Sequence, residues 1–421
     1  MKHQNMKELT NRNKNFVKLL ACLFIAPFLL SLFSYTLVLH VFDLEVKDHW
    51  TSKNVNTLLR VFGLYLITLI PLVCFIVPQI NVRKMQIGEH QKDKRLCQLS
   101  DRQDIKNNIN TTVLIFVIIY AIEATGILWW SHQLEALANG LLGFCLVIFW
   151  LSIFSLPQTL RLTISLMVVS LIYALIAFGL TGSRGGIVGI GISLIGYFFL
   201  RHNTPNISIL AILAFILCGG ILLNAVQPFE TIILKGSEFH WPYAFVLFEP
   251  QIIENMAKFV SDPHKLAHQA SPWDIVCSFF PVLKGAMNCT GFVQFFAEAY
   301  YPNKDIGFGT NAGVAMETYF MATSGGWSFF LYLAMLSGCS MVIASMFRAL
   351  APNIANTAYF ASIAISSYEL GRVGIQDWIY KLILLTVIWL FYLLVQSFLS
   401  TLSRKSIAMQ NSGSNYVRDD R

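Results

Sequence analysis

Apolar runs long enough to cross a lipid bilayer dominate this sequence. A helix needs about 20 apolar residues to span roughly 30 Å of hydrocarbon. Segments that approach this length are 16–39, 57–80, 111–130, 139–156, 164–181, 185–200, 207–224, 325–346, 358–374 and 379–400. None shows the strict short-range alternation of a β-barrel strand. The sequence therefore predicts an all-α polytopic membrane protein with about ten transmembrane helices.

The charge content agrees with this class. Soluble chains carry about 25% charged residues, whereas 13% of these 421 residues are charged and 55% are hydrophobic. The first apolar run follows a basic tail, as a signal peptide would, but it is too long for a cleavable segment. We therefore expect this first run to be a retained membrane anchor.

Lys and Arg residues predict the orientation, because they concentrate in cytoplasmic loops. The connection 81–110 carries seven basic residues, while the opposite short loops 40–55 and 131–138 carry Lys47 and Lys53 alone. With ten spans, both termini are then cytoplasmic. This bias, together with attraction to anionic lipid, accounts for the net charge of +7, so no nucleic-acid partner is predicted.

About a hundred residues on the outer face contain no span, which is too long for a simple connection. Their aromatic runs, such as Phe239–Phe248 and Phe292–Tyr301, suit helices that lie on the membrane surface. The predicted regions are an N-terminal membrane bundle of about seven spans (1–224), the large outer loop (225–323), C-terminal spans (324–403) and a cytoplasmic tail (404–421).

Two arginines at outer span ends are candidates for anion binding. Arg184 lies between small residues in Thr181–Gly185, and Arg372 lies in Gly371–Gly374. A guanidinium can grip a phosphate with two hydrogen bonds. The alternatives are that Arg184 snorkels to the interface and that Arg372 only pairs with Glu369 at i, i+3. The phosphate hypothesis better explains why Arg184 runs against the charge bias.

Two acids of the outer loop are candidate general bases. Asp274 ends the stretch Ser271–Asp274, and Glu317 lies in Met316–Tyr319, so each carboxyl is beside aromatic residues. Such surroundings can raise a carboxyl pKa toward the working range of a base. Glu317 also comes shortly before the eighth span, so we expect it near the lipid surface. For both acids, an ordinary structural charge remains the favoured interpretation.

The cysteines and glycines point to structure more than to chemistry. Cys277 and Cys289 share the outer loop and allow one disulfide, although two buried thiols are the favoured alternative. No CxxC pair or His cluster has metal-ligand spacing, so no metal is expected. The pairs Gly182/Gly186 and Gly185/Gly189 form small-xxx-small faces, which predict close helix packing rather than nucleotide binding.

Taken in order, these elements resemble the O-antigen polymerase family, with the closest likeness to enterobacterial common antigen polymerases and a broader one to O-antigen ligases. The resemblance covers the fifth to the tenth span. It rests on the Thr181–Gly185 turn, the Ser271–Asp274 element, Thr310–Gly313, Gly325-Gly326 and Gly371–Gly374. Relatives often carry a histidine late in the loop, and 310–323 has none, which puts a histidine base in doubt.

The resemblance implies a metal-independent glycosyltransferase with a lipid-carrier-type (GT-C-like) fold in the bacterial inner membrane, with no cofactor. The large loop would be periplasmic, and Arg184 and Arg372 would bind the diphosphate of an undecaprenyl-diphosphate-linked glycan donor. The acceptor would be a second lipid-linked unit. Further implied partners are membrane lipid, a chain-length regulator and a flippase.

Three alternatives remain open at this point. An O-antigen ligase would use the same donor but transfer the glycan to lipid A-core. A lipid-linked oligosaccharide flippase or transporter is the second, although no internal repeat is found and transport does not explain the long outer loop. The third is a non-catalytic partner in an envelope assembly, which two outer arginines disfavour.

Overall fold

The structure is a computed structural model of the chain, and all its regular secondary structure within the described ranges is helical. The described residues are 15–16, 18–19, 21–23, 26, 59–67, 94–125, 132–156, 165, 168–169, 172, 185–200, 207–214, 216, 250–267, 270–302, 313–350 and 353–416. The helices with defined bounds are α1 (Lys94–Ala124), α2 (His132–Ser155), α3 (Gly185–Leu200), α4 (Pro250–Ser261), α5 (His264–Ala267), α6 (Pro272–Cys277), α7 (Pro281–Met287), α8 (Phe292–Tyr300), α9 (Gly313–Ser324), α10 (Trp327–Ala349), α11 (Ile354–Val373) and α12 (Ile375–Tyr416).

Four described helices are long and apolar enough to cross a membrane. These spans are Ile105–Ala124, Leu137–Ser155, Trp327–Phe347 and Ile375–Thr401. Large apolar side chains are exposed along them, such as Val117, Leu394 and Phe398, whose exposed fractions are 59%, 69% and 65%. Apolar faces of this size are not left to water. The chain is therefore a helical membrane protein.

The predicted spans compare well with the helices where both are described. Segments 139–156, 325–346 and 379–400 coincide with α2, α10 and the first part of α12, and 185–200 and 358–374 coincide with α3 and α11. The latter two are not among the four long apolar spans. The predicted spans 16–39, 57–80, 164–181 and 207–224 lie largely outside the described residues. The count of ten consequently stays a prediction.

Helix α11 lies at the centre of the bundle and packs against α1, α2, α3, α9 and α12. Every residue from Ile354 to Ala364 is buried. Its polar side chains meet partners on α12: the Trp389 Nε1–H donates to Asn356 Oδ1 at 3.1 Å, and the Tyr359 and Thr386 hydroxyls lie 2.9 Å apart. Polar contacts of this kind join helices within a bilayer. A helix this polar is stable here because protein surrounds it.

Small residues bring α3 close to α2, as the glycine pattern predicts. A Cβ built on Gly189 would lie 3.2 Å from Leu146, and one on Gly196 would lie 3.3 Å from Leu151. Between them the Ser193 hydroxyl donates to the Val147 carbonyl of α2 at 3.1 Å. The close-packing prediction is confirmed at Gly189, and it extends along the helix to Gly196.

Helix α1 enters the bundle earlier than the sequence predicts. The connection 81–110 was expected to end at residue 110, but the apolar span already begins at Ile105. Asn108 is fully buried there, and its Oδ1 accepts from the Tyr392 hydroxyl at 3.1 Å and from Gln396 Nε2 at 3.2 Å. Because α12 supplies these partners, a polar residue that hydropathy assigns to a loop lies inside the span.

The short helices α4 to α8 form a layer, the short-helix layer, at the end of the bundle where α10 and α12 begin and α11 ends. In α8 the aromatic side chains face protein: Phe292 and Phe296 are buried, and the ring of Phe292 lies 6.0 Å from that of Phe320 on α9. The structure thus differs from the expected membrane-surface helix at Phe292–Tyr301. The other aromatic run, Phe239–Phe248, lies outside the described residues.

Candidate functional site

A one-residue turn joins α11 to α12 and forms the base of the candidate site. Gly374 has φ +120° and ψ 178°, a backbone conformation that essentially only glycine adopts. The turn places the last residues of α11, including Arg372, directly before the first free amides of α12. Amides at a helix N-terminus carry partial positive charge.

Glu317 on α9 meets this turn. Its Oε2 accepts a hydrogen bond from the Ile375 backbone amide at 2.9 Å. A Cβ built on Gly374 would lie 3.0 Å from the same oxygen. The carboxyl therefore lies directly against the turn, and a side chain at position 374 would have to displace it.

Burial raises the pKa of Glu317 from 4.5 to about 8. The hydrogen bond from the Ile375 amide opposes this shift, the negative charge of Asp377 adds to it, and a hydrogen bond with the Tyr332 hydroxyl opposes it. Both protonation states are consequently populated near neutral pH. A carboxyl with this pKa is suited to proton transfer, but burial leaves it only 1% exposed.

Polar groups continue from Glu317 into the bundle. The Tyr332 hydroxyl lies 2.9 Å from the Thr318 hydroxyl, and both residues are fully buried. In the first turn of α12, Trp378 is buried and its Nε1–H has no hydrogen-bond partner within the described part of the chain. A buried unpaired donor costs about 1–3 kcal/mol. This end of the bundle thus combines a titratable carboxyl, hydroxyls and an unused donor.

The short-helix layer is fastened to the first turns of α12. The Ser278 hydroxyl donates to Gln376 Oε1 at 3.2 Å, and the Tyr380 hydroxyl donates to the Ser278 carbonyl at 2.8 Å. Gln376 also lies against Gly291, where a Cβ would overlap its amide. A disulfide between Cys277 and Cys289, with Cα atoms 5.9 Å apart, closes the segment around Ser278. Because Cys277 and Cys289 are bonded, the alternative of two buried thiols, which the sequence favoured, is wrong.

The element Ser271–Asp274 starts helix α6. Ser271 is the N-cap, and its hydroxyl accepts from the Asp274 amide at 3.3 Å, with Pro272 in the first turn. Serine at the cap and an acid three residues later are the residues that helix starts prefer. The capping role accounts for these residue types, while the partly exposed Asp274 carboxyl remains available at the surface.

The structure places the predicted site residues differently with respect to the turn at Gly374. Glu317 is brought to the turn that follows Arg372, whose backbone lies in the last turn of α11 and whose side chain is outside the described part. Asp274 lies in α6, where its backbone carbonyl accepts from the Ser278 amide at 2.9 Å, and no described contact joins its carboxyl to the turn at Gly374. Arg184 lies outside the described residues.

Glu317 is enclosed by protein at the end of the bundle where the α12 span begins, and its expected position near the lipid surface stays a prediction. It faces protein groups, and its hydrogen bond to Ile375 holds the turn at Gly374. Because the Glu317 carboxyl is only 1% exposed and accepts from the Ile375 amide, a positioning role fits it better than direct proton transfer.

Sequence reasoning missed four residues that build this site, namely Ser278, Tyr332, Gln376 and Trp378. One available signal was the polar stretch Gln376-Asp377 at the very start of an apolar span. Ser278 and Tyr332 carry no comparable signal, because their partners are distant in sequence.

Within the described ranges, no group of three His, Cys, Asp or Glu side chains is arranged to hold a metal ion. Comparisons of the chain with protein-family models, with curated proteins and with solved structures gave no match.

Proposed function

We propose that this chain is a polysaccharide polymerase that joins undecaprenyl-diphosphate-linked repeat units into O-antigen or a related surface polysaccharide. The observation that carries the proposal is the contact of the buried Glu317 carboxyl with the turn that follows Arg372. This contact fixes the Gly371–Gly374 turn beside the start of the α12 span, and the diphosphate of a lipid-linked donor would lie at such a span end.

The proposed polymerase has about ten spans in a GT-C-like arrangement, and both of its termini lie in the bacterial cytoplasm. The short-helix layer then faces the periplasm. The Cys277–Cys289 disulfide supports this side, because disulfides persist in oxidising compartments.

In the proposed reaction, a sugar hydroxyl of the acceptor attacks the anomeric carbon of the donor glycan. A new glycosidic C–O bond forms, and the bond from the anomeric carbon to the diphosphate oxygen breaks with its electron pair, releasing undecaprenyl diphosphate. Arg184 and Arg372 bind the diphosphate, where negative charge grows as the bond breaks. Preorganised cations stabilise this charge more in the transition state than in the ground state.

The acids have separate roles in this scheme. Asp274 is partly exposed and takes the proton of the attacking hydroxyl. Glu317 is a positioning residue, which holds the turn after Arg372 through the Ile375 amide. The reaction is balanced without a metal or a nucleotide sugar, since the lipid diphosphate is already the leaving group.

The proposal is tested by lipopolysaccharide gel banding in a host deleted for this gene and complemented with wild type, Arg372→Ala or Arg184→Ala. Wild type should restore the long ladder, and each arginine variant should leave lipid A-core with a single repeat unit. Lys106→Ala is the control, because Lys106 is an exposed basic residue at the start of the α1 span, in the connection 81–110 that is predicted to be cytoplasmic.

Two other outcomes would contradict the proposal. Loss of every band above bare core in the deletion host points to a ligase or a flippase. A ladder that is unchanged by the deletion excludes polymerase, ligase and flippase alike for this glycan.

A further inference from the structure

Helix α7 presents apolar side chains outward and buries none of its own residues. The exposed fractions of Val282, Leu283 and Met287 are 83%, 43% and 57%. The neighbouring Phe280 is 39% exposed. Adjacent apolar side chains in water mark an interaction surface.

Buried residues on either side of α7 fix the position of this exposed helix. Cys277 and Cys289 are buried and bonded to each other, and Phe279 is buried as well. The helix ends at Asn288, which takes a left-handed conformation with φ 53°. The segment 277–289 is therefore a closed loop with buried ends and an apolar outer helix.

Contacts with α12 place this loop at the end of the membrane spans. Tyr380, in the second turn of the span, donates to the Ser278 carbonyl, and the Lys284 ammonium lies 5.9 Å from the centre of the Tyr380 ring. Helix α6, which leads into the loop, packs against α10. At the start of α10, Trp327 is 88% exposed and Phe330 is 63% exposed.

We propose that α7 inserts into the bilayer leaflet on this side, so that phospholipid acyl chains cover Val282, Leu283 and Met287. The apolar outer face of α7 lies at the level of the lipid-facing ends of α10 and α12. Lys284, which is half-buried, has the length to reach lipid phosphate from this depth. The inference concerns an interaction surface and does not depend on the proposed polymerase activity.

The test is photocrosslinking with p-benzoylphenylalanine placed at position 282 or at position 287. The variants are purified into nanodiscs of phosphatidylethanolamine and phosphatidylglycerol that contain no polyprenyl lipid. Position 298 is the control, because Glu298 is an exposed residue of the same layer on α8. The Cys277–Cys289 bond, checked by mass under non-reducing conditions, reports that each variant has folded.

We expect phospholipid mass adducts at positions 282 and 287 and none at position 298. Absence of lipid adducts at both α7 positions in folded protein would overturn the inference. A crosslink to a second copy of the chain instead of lipid would also overturn it, as would an adduct that forms only after undecaprenyl phosphate is added.

Discussion

The Glu317 carboxyl accepts a hydrogen bond from the backbone amide of Ile375 at 2.9 Å, although 58 residues separate the two along the chain. This bond joins α9 to the first turn of α12. It also holds Gly374, so that the position of the Arg372 segment depends on Glu317.

Replacing Glu317 should distinguish a positioning role from a proton-transfer role. In Glu317→Gln the amide oxygen can still accept from Ile375, so we expect polymer formation to be largely retained. Glu317→Ala removes the acceptor and leaves the turn unsupported, so the ladder should shorten or disappear. Complemented strains compared by gel banding provide the measurement. Equal, complete loss in both variants would instead assign proton transfer to this carboxyl.

Stability should fall as pH rises through the titration of Glu317. Its pKa is raised from 4.5 to about 8 in the folded protein, so the folded state binds the proton more tightly than the unfolded state. The stabilisation is full below about pH 4.5 and is lost as pH rises through 8, at up to about 1.4 kcal/mol for each pH unit. Thermal unfolding in nanodiscs from pH 5 to pH 9 measures this.

Glu317→Gln is the control for that pH dependence, because it keeps the shape and removes the titration. Its unfolding temperature should vary less with pH over the same window. If wild type and Glu317→Gln have the same pH profile, the carboxyl does not titrate as described. Asp377 and Tyr332, which face Glu317, are unchanged in this comparison.

Gly374→Ala should destabilise the protein and impair the site. Alanine at φ +120° costs about 1–3 kcal/mol in backbone strain, and its Cβ would lie 3.0 Å from the Glu317 carboxylate. Gly338→Ala is a matched control, since a Cβ there meets nothing within 4 Å. Unfolding temperatures should drop for Gly374→Ala alone, and equal values for the two variants would contradict the assigned turn.

Reduction of the Cys277–Cys289 bond should lower stability. The bond closes a loop with a sequence separation of 12, for which the chain-entropy contribution is about 3 kcal/mol. Reductant should therefore lower the unfolding temperature of wild type and have no such effect on a Cys277→Ser/Cys289→Ser variant. Cys339→Ser, which changes a free thiol, should respond to reductant as wild type does.

The sequence predicted the membrane class and several helices, because length and hydropathy are local properties. It placed the start of the α1 span too late, because Asn108 is a polar residue that hydropathy assigns to a loop. Inside the bundle, hydrogen bonds from Tyr392 and Gln396 satisfy its side chain. The burial of α11 could not be predicted from local sequence either. Its serines and Asn356 make the segment look like an interrupted membrane span.

The site was predicted only in part for a similar reason. Glu317 and Arg372 were named separately, but nothing local shows that α9 brings a carboxyl to the turn after α11. The role of Ser271–Asp274 as a helix start follows from capping rules, whereas the link from Ser278 to Gln376 spans 98 residues. Contacts between distant residues decide the site, and a single sequence does not contain them directly.

The most direct test of the central claim is reconstituted polymerisation. Lipid-linked repeat units extracted from the deletion host are added to proteoliposomes that contain the purified chain, and products are separated by size. We expect a ladder of lipid-linked polymer with release of one undecaprenyl diphosphate per bond formed, and loss of both with Arg372→Ala but not with Lys106→Ala. Repeat units that remain single with folded wild-type protein, or that elongate equally with Arg372→Ala, would contradict it.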